Sequence, residues 1–112
     1  MKIVVLRPAR YDLIEGYWFY EKQKAELGNY FIRSISADIE SLSAYAGVHA
    51  KCFGKHRMVA SKFPYSIFYL IEGSEIRIYA VLDNRRDPEW ISERLGLSRP
   101  ANDRRLQPRL LR

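Results

Sequence analysis

The chain has 112 residues, of which 47% are hydrophobic and 13% aromatic, with 19 Lys and Arg against 13 Asp and Glu for a net charge of +6. That length suits one domain with a buried core, and the apolar and aromatic content excludes disorder of the chain as a whole. The positive excess is uneven: residues 1–95 carry +2, whereas residues 96–112 carry +4 from Arg99, Arg104, Arg105, Arg109 and Arg112 against Asp103. No apolar run approaches the roughly 20 residues of a membrane helix. The opening Met1 to Leu6 is too short for the apolar core of a leader. Cys52 is the sole cysteine, so neither an internal disulfide nor a cysteine-based metal site is available. The expectation is a soluble cytoplasmic protein with no membrane partner.

Residues 2–6 are β-branched and apolar and read as a short buried strand. Pro8 suits the first turn of a helix. From Ala9 to about Ala25 the spacing is helical, with Ala9, Leu13, Tyr17 and Tyr20 on one face and Trp18 and Phe19 widening it. Gly16 lies inside that helix at a cost of about 1 kcal/mol relative to alanine. Leu27-Gly28-Asn29 reads as a break. A second helix runs from about Tyr30 to Tyr45, with Phe31, Ile35, Ile39, Leu42 and Ala46 on its apolar stripe and Arg33, Ser36, Glu40 and Ser43 opposite. Gly47 is placed to end it.

The period then changes to two. Residues 56–62 form a candidate strand, Phe63-Pro64 breaks it, and residues 65–71 are the most β-prone segment of the chain. Glu72-Gly73-Ser74 is a tight turn leading into strand 75–82, where Ile76, Ile78, Ala80 and Leu82 face one way and Arg77, Tyr79 and Val81 the other. Asp87 is the expected N-cap of a short helix, with Pro88 in its first turn and Gly96 at its end. The order β-α-α-β-β-β-α gives an α+β fold: an N-terminal strand and a helical hairpin packed on a mainly antiparallel sheet. Residues 1–95 form the expected single domain, and 96–112 a basic, weakly ordered tail that solubilises the chain or folds onto an acidic partner, with nucleic acid as a third option that needs more than a tail.

Several chemistries lack their residues. His49 and His56 match no zinc spacing and read as surface side chains. The glycines are isolated, so there is no phosphate loop, and no serine elbow is present. Asp83 and Asp87 read as a strand-end turn residue and a helix cap rather than as a catalytic pair. No cofactor and no metal are expected.

The informative stretch runs from Lys55 to Arg94. Its strand Phe63-Pro64-Tyr65-x-Ile67-x-Tyr69, its strand Ile76-x-Ile78-x-Ala80-Val81-Leu82 and its exit Arg85-Arg86-Asp87-Pro88-x-Trp90 resemble the RelE/ParE superfamily of bacterial type II toxin–antitoxin systems, a plasmid-stabilisation type, across residues 1 to about 95. The resemblance implies a toxin neutralised by a cognate antitoxin that folds on binding. It implies one of two mechanisms. RelE-like members cut mRNA on the ribosome, a reaction that needs a proton acceptor for the 2′-hydroxyl, cations for the phosphate and an acid for the leaving group. On that reading Lys55, Arg57, Arg85 and Arg86 are the candidate catalytic side chains. ParE-like members inhibit DNA gyrase by binding. Here Val59 stands where a second lysine is expected, Ser66 where many nucleases have arginine, and Trp90 where a tyrosine follows the last strand. Tryptophan stacks on bases but transfers no proton. The ParE-like reading is therefore preferred, with Arg57, Arg77, Arg85, Arg86 and Trp90 as the target-binding set. Arginine and tryptophan are residue types enriched in binding hot spots.

Overall fold

The computed structural model describes residues 1–96. Of the basic tail expected over 96–112, all but Gly96 lies outside the described residues. Strand β1 (Lys2–Val5) leads into helix α1 (Arg7–Glu21), with Pro8 in its first turn as expected. Helix α2 (Leu27–Glu40) and the single turn α3 (Leu42–Tyr45) follow. Then come β2 (Lys51–Cys52), β3 (Lys55–Val59), β4 (Tyr65–Glu72), β5 (Glu75–Asp83) and helix α4 (Pro88–Arg94). The strands form one sheet in the order β1-β5-β4-β3-β2, antiparallel except for β1, which runs parallel to β5. The α+β architecture follows the expected element order, with β2 as an addition, the second helix expected to run to Tyr45 divided at Ser41 into α2 and α3, and the strand expected over 56–62 ending at Val59. Two residues long, β2 pairs with β3 across a turn in which Phe53 and Gly54 both take positive φ; so short a strand carries no periodicity to read.

The α1–α2 hairpin is tighter than the sequence pattern indicates. α1 buries Ala9, Asp12, Gly16 and Tyr20. Trp18 and Phe19, expected to widen that face, are instead 56% and 46% exposed. The helix ends at Glu21, whose carboxylate turns back to accept hydrogen bonds from the backbone N–H of Glu26 (3.1 Å) and Gly28 (3.0 Å), orphan donors at the start of α2. Leu27-Gly28-Asn29, read as a break, is therefore the first turn of α2, reached through Glu26 at φ 75°. Both glycines are close-approach positions. A Cβ on Gly28 would lie 2.7 Å from the Tyr17 carbonyl oxygen, and one on Gly16 would lie 2.6 Å from the Phe31 ring.

The sheet has two covered faces. On one, α1 and α2 lay Tyr20, Phe31, Ile35 and Ile39 over Ile67, Tyr69, Ile76, Ile78 and Val81. On the other, Ile91 of α4 and Leu95 at its C-cap pack on Phe68, Ala80 and Leu82. Strict alternation would put Ala80 and Leu82 beside Ile76 and Ile78. A β-bulge prevents it: Phe68 pairs with Ala80 and Tyr69 with Ile78, leaving Tyr79 as an extra residue. An extra residue reverses the facing of everything beyond it. Val81 thus joins the helix-facing core, and Ala80 and Leu82 join the face under α4.

Gly16→Ala tests the hairpin. Helix propensity alone favours alanine by about 1 kcal/mol. Insertion of a methyl against a fully buried ring in a filled core costs about 1–3 kcal/mol, so the variant is expected to lose stability in urea denaturation. An unchanged or higher denaturation midpoint would show that Phe31 does not hold this position.

Candidate functional site

The face of the sheet under α4 carries most of the sequence-predicted residues. Arg57 rises from β3, where it lies opposite Phe68 of β4. Its Nε donates to Ser66 Oγ at 2.7 Å, and one terminal nitrogen donates to Asn84 Oδ1 at 3.1 Å. The Ser66 hydroxyl in turn donates to Asn84 Oδ1 at 2.5 Å. Ser66 is fully buried, so the serine that stands in place of an expected arginine has a positive role: it orients Arg57. Asn84, just past the end of β5, completes that clamp.

Beyond Asn84 the chain turns into α4. Asp87 accepts from the Glu89 N–H at 3.2 Å as the expected N-cap. The cap fixes the register of α4 and sets the Arg86 guanidinium over the Trp90 ring, 4.1 Å from its centroid. Arg57, Asn84 and Arg86 line a cavity of about 230 Å³ with Phe53, Phe68 and Ile91. Among the described residues, no carboxylate forms an ion pair with Arg57 or Arg86. Arg86 and Trp90 also border a second cavity of about 330 Å³, whose far wall is Glu15 and Phe19 of α1.

The other candidates stand apart. Arg85 donates to both carboxylate oxygens of Asp83, at 2.9 and 2.6 Å, which holds the Asp83 carboxyl below its ordinary range and raises Arg85. Arg77 is engaged by Glu75 (2.7 Å) and Glu72 (3.2 Å). Lys55 lies over the Tyr79 ring at 4.8 Å, and burial pushes its ammonium down against the pull of Glu72. The Tyr79 hydroxyl donates to Glu72 Oε1 at 2.6 Å, a bond that raises the phenol. The expected set therefore divides. Arg57, Arg86 and Trp90 come together; Lys55 and Arg77 gather around Glu72 and Tyr79; Arg85 is satisfied locally.

His49 and His56 are not the free surface side chains expected. The buried Tyr69 hydroxyl accepts from the Gly47 N–H at 2.9 Å and shares a hydrogen bond of 2.5 Å with His49 Nδ1, while His56 stacks on the Tyr69 ring and donates from Nδ1 to the His49 carbonyl at 2.7 Å. They pin the loop after α3 to the sheet. Among the described residues, no three His, Cys, Asp or Glu side chains gather as a metal site, and no helix is long and apolar enough to cross a membrane.

No family model and no curated protein matches the chain. A solved structure does: a chain from the chromosomal ParDE TA system of P. aeruginosa superimposes with a TM-score of 0.67 and 22% identity over 72% of this chain and 92% of that one. The two share the fold, which is the RelE/ParE-like fold that the strand and exit motifs resemble.

The Asp83–Arg85 pair sets a testable pH dependence. A carboxyl whose folded pKa is depressed contributes stability above its ordinary value, 3.8 here, and that contribution is lost as the pH falls through the folded value. Asp83→Asn is thus expected to lower stability at neutral pH and to flatten the acid limb of the stability curve below about pH 4. An acid limb as steep as that of the parent would exclude Asp83 as its source.

Proposed function

We propose that this chain is the toxin of a type II toxin–antitoxin system, restrained in the cytoplasm by a cognate antitoxin, and that it inhibits DNA gyrase by binding rather than by catalysis. The fold shared with a chain of a ParDE system supports the system class. The observation that carries the mechanism is the composition of the arginine cavity. Its walls offer two guanidiniums, an amide, the Cys52 thiol and apolar side chains, but no histidine, lysine, carboxylate or tyrosine. A guanidinium stays protonated, so the cavity has positive charge and shape, and neither arginine serves as a proton acceptor. That serves recognition of an acidic, apolar protein surface, and it lacks the histidine, lysine or carboxylate that strand cleavage ordinarily uses as general base.

The alternative is ribosome-dependent cleavage of mRNA. It draws on a different group: Lys55, whose ammonium is pushed down by burial, beside Tyr79. In that scheme Lys55 accepts the proton of the 2′-hydroxyl, and Arg57, Arg85 and Arg86 neutralise the phosphate.

Induction of the chain alone in a bacterial host is expected to arrest growth, and co-expression of the short reading frame beside its gene to relieve the arrest. The mechanism is decided with purified components, by supercoiling with gyrase on one side and mRNA integrity in a translating extract on the other. Inhibited supercoiling with intact mRNA is the expected result. In that assay Arg86→Ala and Trp90→Ala should each weaken inhibition about 10–30-fold, as loss of a hot-spot side chain does, with circular dichroism unchanged. Cut mRNA that Lys55→Ala abolishes, with supercoiling unaffected, would replace this reading with the nuclease.

A further inference from the structure

Between α1 and α4, beside the length of β5 that β1 does not accompany, lies a cavity of about 330 Å³, at the small end of the range for small-molecule sites. Phe19 of α1, Val81 and Leu82 of β5 and Trp90 of α4 give it an apolar lining. Tyr65, at the start of β4, lines it as well. That residue is only 6% exposed, and among the described residues its hydroxyl makes no hydrogen bond. Burial pushes the phenol up, and Tyr20, Asp83 and Glu15 push the same way against the pull of Arg85, so the hydroxyl keeps its proton. A buried hydroxyl without a partner is a cost to the fold. One that borders a cavity is a bond held open for a ligand.

The charges around the cavity say what that ligand carries. Asp12 is committed to the Val81 amide and Arg94, and Asp83 to Arg85. Glu15 on the α1 wall and Arg86 on the α4 wall remain. Among the described residues, neither forms an ion pair, with the other or with any third group. The cavity therefore offers one carboxylate and one guanidinium on opposite walls, with apolar surface between them. A simple organic cation suits Glu15 but meets Arg86 with like charge, and a simple anion has the reverse difficulty. The end of a protein chain supplies only one of the two charges. A small molecule that carries both suits both walls.

We propose that this cavity binds a free α-amino acid with an apolar side chain. The ammonium donates to the Glu15 carboxylate and to the Tyr65 hydroxyl oxygen, the two groups whose electrostatic coupling places them at one end of the cavity. The carboxylate accepts from the Arg86 guanidinium, a pairing that favours arginine over any other side chain. The apolar side chain lies against Phe19, Val81 and Leu82. The proposal goes beyond the toxin reading and does not rest on it: Glu15, Phe19 and Tyr65 lie outside the arginine cavity, and Arg86 alone borders both.

The probes are L-leucine and L-phenylalanine, each beside two derivatives that remove one charge and keep the side chain. The amide lacks the carboxylate, and the N-acetyl compound lacks the ammonium. Titrated into the full chain with NMR detection, the free amino acids are expected to shift the Gly16 and Leu82 amides and the Trp90 indole. They should bind about tenfold more tightly than either derivative, the worth of one charge-assisted hydrogen bond. Glu15→Gln should erase the preference over the N-acetyl compound, and Arg86→Gln the preference over the amide, with circular dichroism unchanged. Tyr65→Phe keeps the ring and removes the hydroxyl. It should weaken amino acid binding about 3–10-fold and leave the unfolding temperature of the empty protein equal or higher, since no internal bond is lost. A lower unfolding temperature for that variant would show that the hydroxyl already has an internal partner and would overturn the proposal, as would the absence of shifts with both amino acids. An amide that binds as well as the free amino acid would assign the cavity to a simple cation, and an equally bound N-acetyl compound to a simple anion; either result replaces the proposal.

Discussion

One buried carboxylate ties the layers of this protein together. β1 accompanies β5 only from Glu75 to Ile78. Leu6 gives its N–H to the Ile78 carbonyl and the chain then turns away into α1. The upper half of β5 is left with an open edge, a position where unpaired backbone groups invite another chain. Asp12 closes it. From the buried side of α1 its Oδ2 accepts the Val81 N–H at 3.0 Å and, on the same oxygen, a guanidinium nitrogen of Arg94 at 2.5 Å. Arg94 adds a bond to the Pro8 carbonyl at 3.2 Å. A single side chain thereby stands in for a missing strand and fastens α4 to the start of α1. Burial pushes the Asp12 carboxyl up, while the Val81 amide and Arg94 pull it down. The pair is held by geometry more than by net electrostatic gain, which is the usual balance for a desolvated ion pair. Its loss would strand the Val81 N–H at a cost of about 1–3 kcal/mol.

The placement of Val81 depends on the bulge at Tyr79. Without the extra residue, Val81 would face α4 and Leu82 the helices. With it, β5 serves the α1–α2 core over its first half and changes phase where α4 crosses. Tyr79 keeps its place on the α4 side beside Lys55, so that side of the sheet carries two separate polar groups. One is the neutral clamp of Ser66 and Asn84 around Arg57. The other is the charged cluster of Glu72, Arg77, Tyr79 and Lys55.

What the sequence disclosed is explained by the range of each signal. Periodicity placed α1, α2 and the β4–β5 hairpin because each is long enough to repeat its pattern, and Asp87-Pro88 placed α4 because capping is local. The readings that failed depend on contacts distant in the chain. Gly16 and Gly28 looked like a cost and a break because nothing local shows that Phe31 and Tyr17 come within van der Waals reach. The bulge followed from cross-strand pairing, which single-strand alternation does not contain. Trp18 was placed in the core because an aromatic residue on a helix is ordinarily buried there. At the site, Arg57, Arg86 and Trp90 were legible as residue types in a resembling motif. Ser66 was misread as an absence, and Asn84 was missed because its role exists only when β3, β4 and the exit of β5 are side by side.

The arginines can also be ranked by what each must give up on meeting an anion. Arg77 and Arg85 already hold carboxylates, so an anionic partner exchanges one ion pair for another, and exposed pairs are worth about 1 kcal/mol or less in either state. Arg57 holds an amide and a hydroxyl. These fix its rotamer without neutralising it, and ordering an arginine otherwise costs about 2 kcal/mol of side-chain entropy. The fold has met that cost before any partner arrives, the condition under which a contact adds most to affinity. Arg86 is held by the Trp90 ring, a contact worth about 0.5–1 kcal/mol when exposed, and among the described residues no carboxylate pairs with it. On the proposed reading as an inhibitor that acts by binding, this ranking puts Arg57 and Arg86, which line one cavity, at the centre of the surface offered to a partner and leaves Arg77 and Arg85 in its electrostatic surroundings.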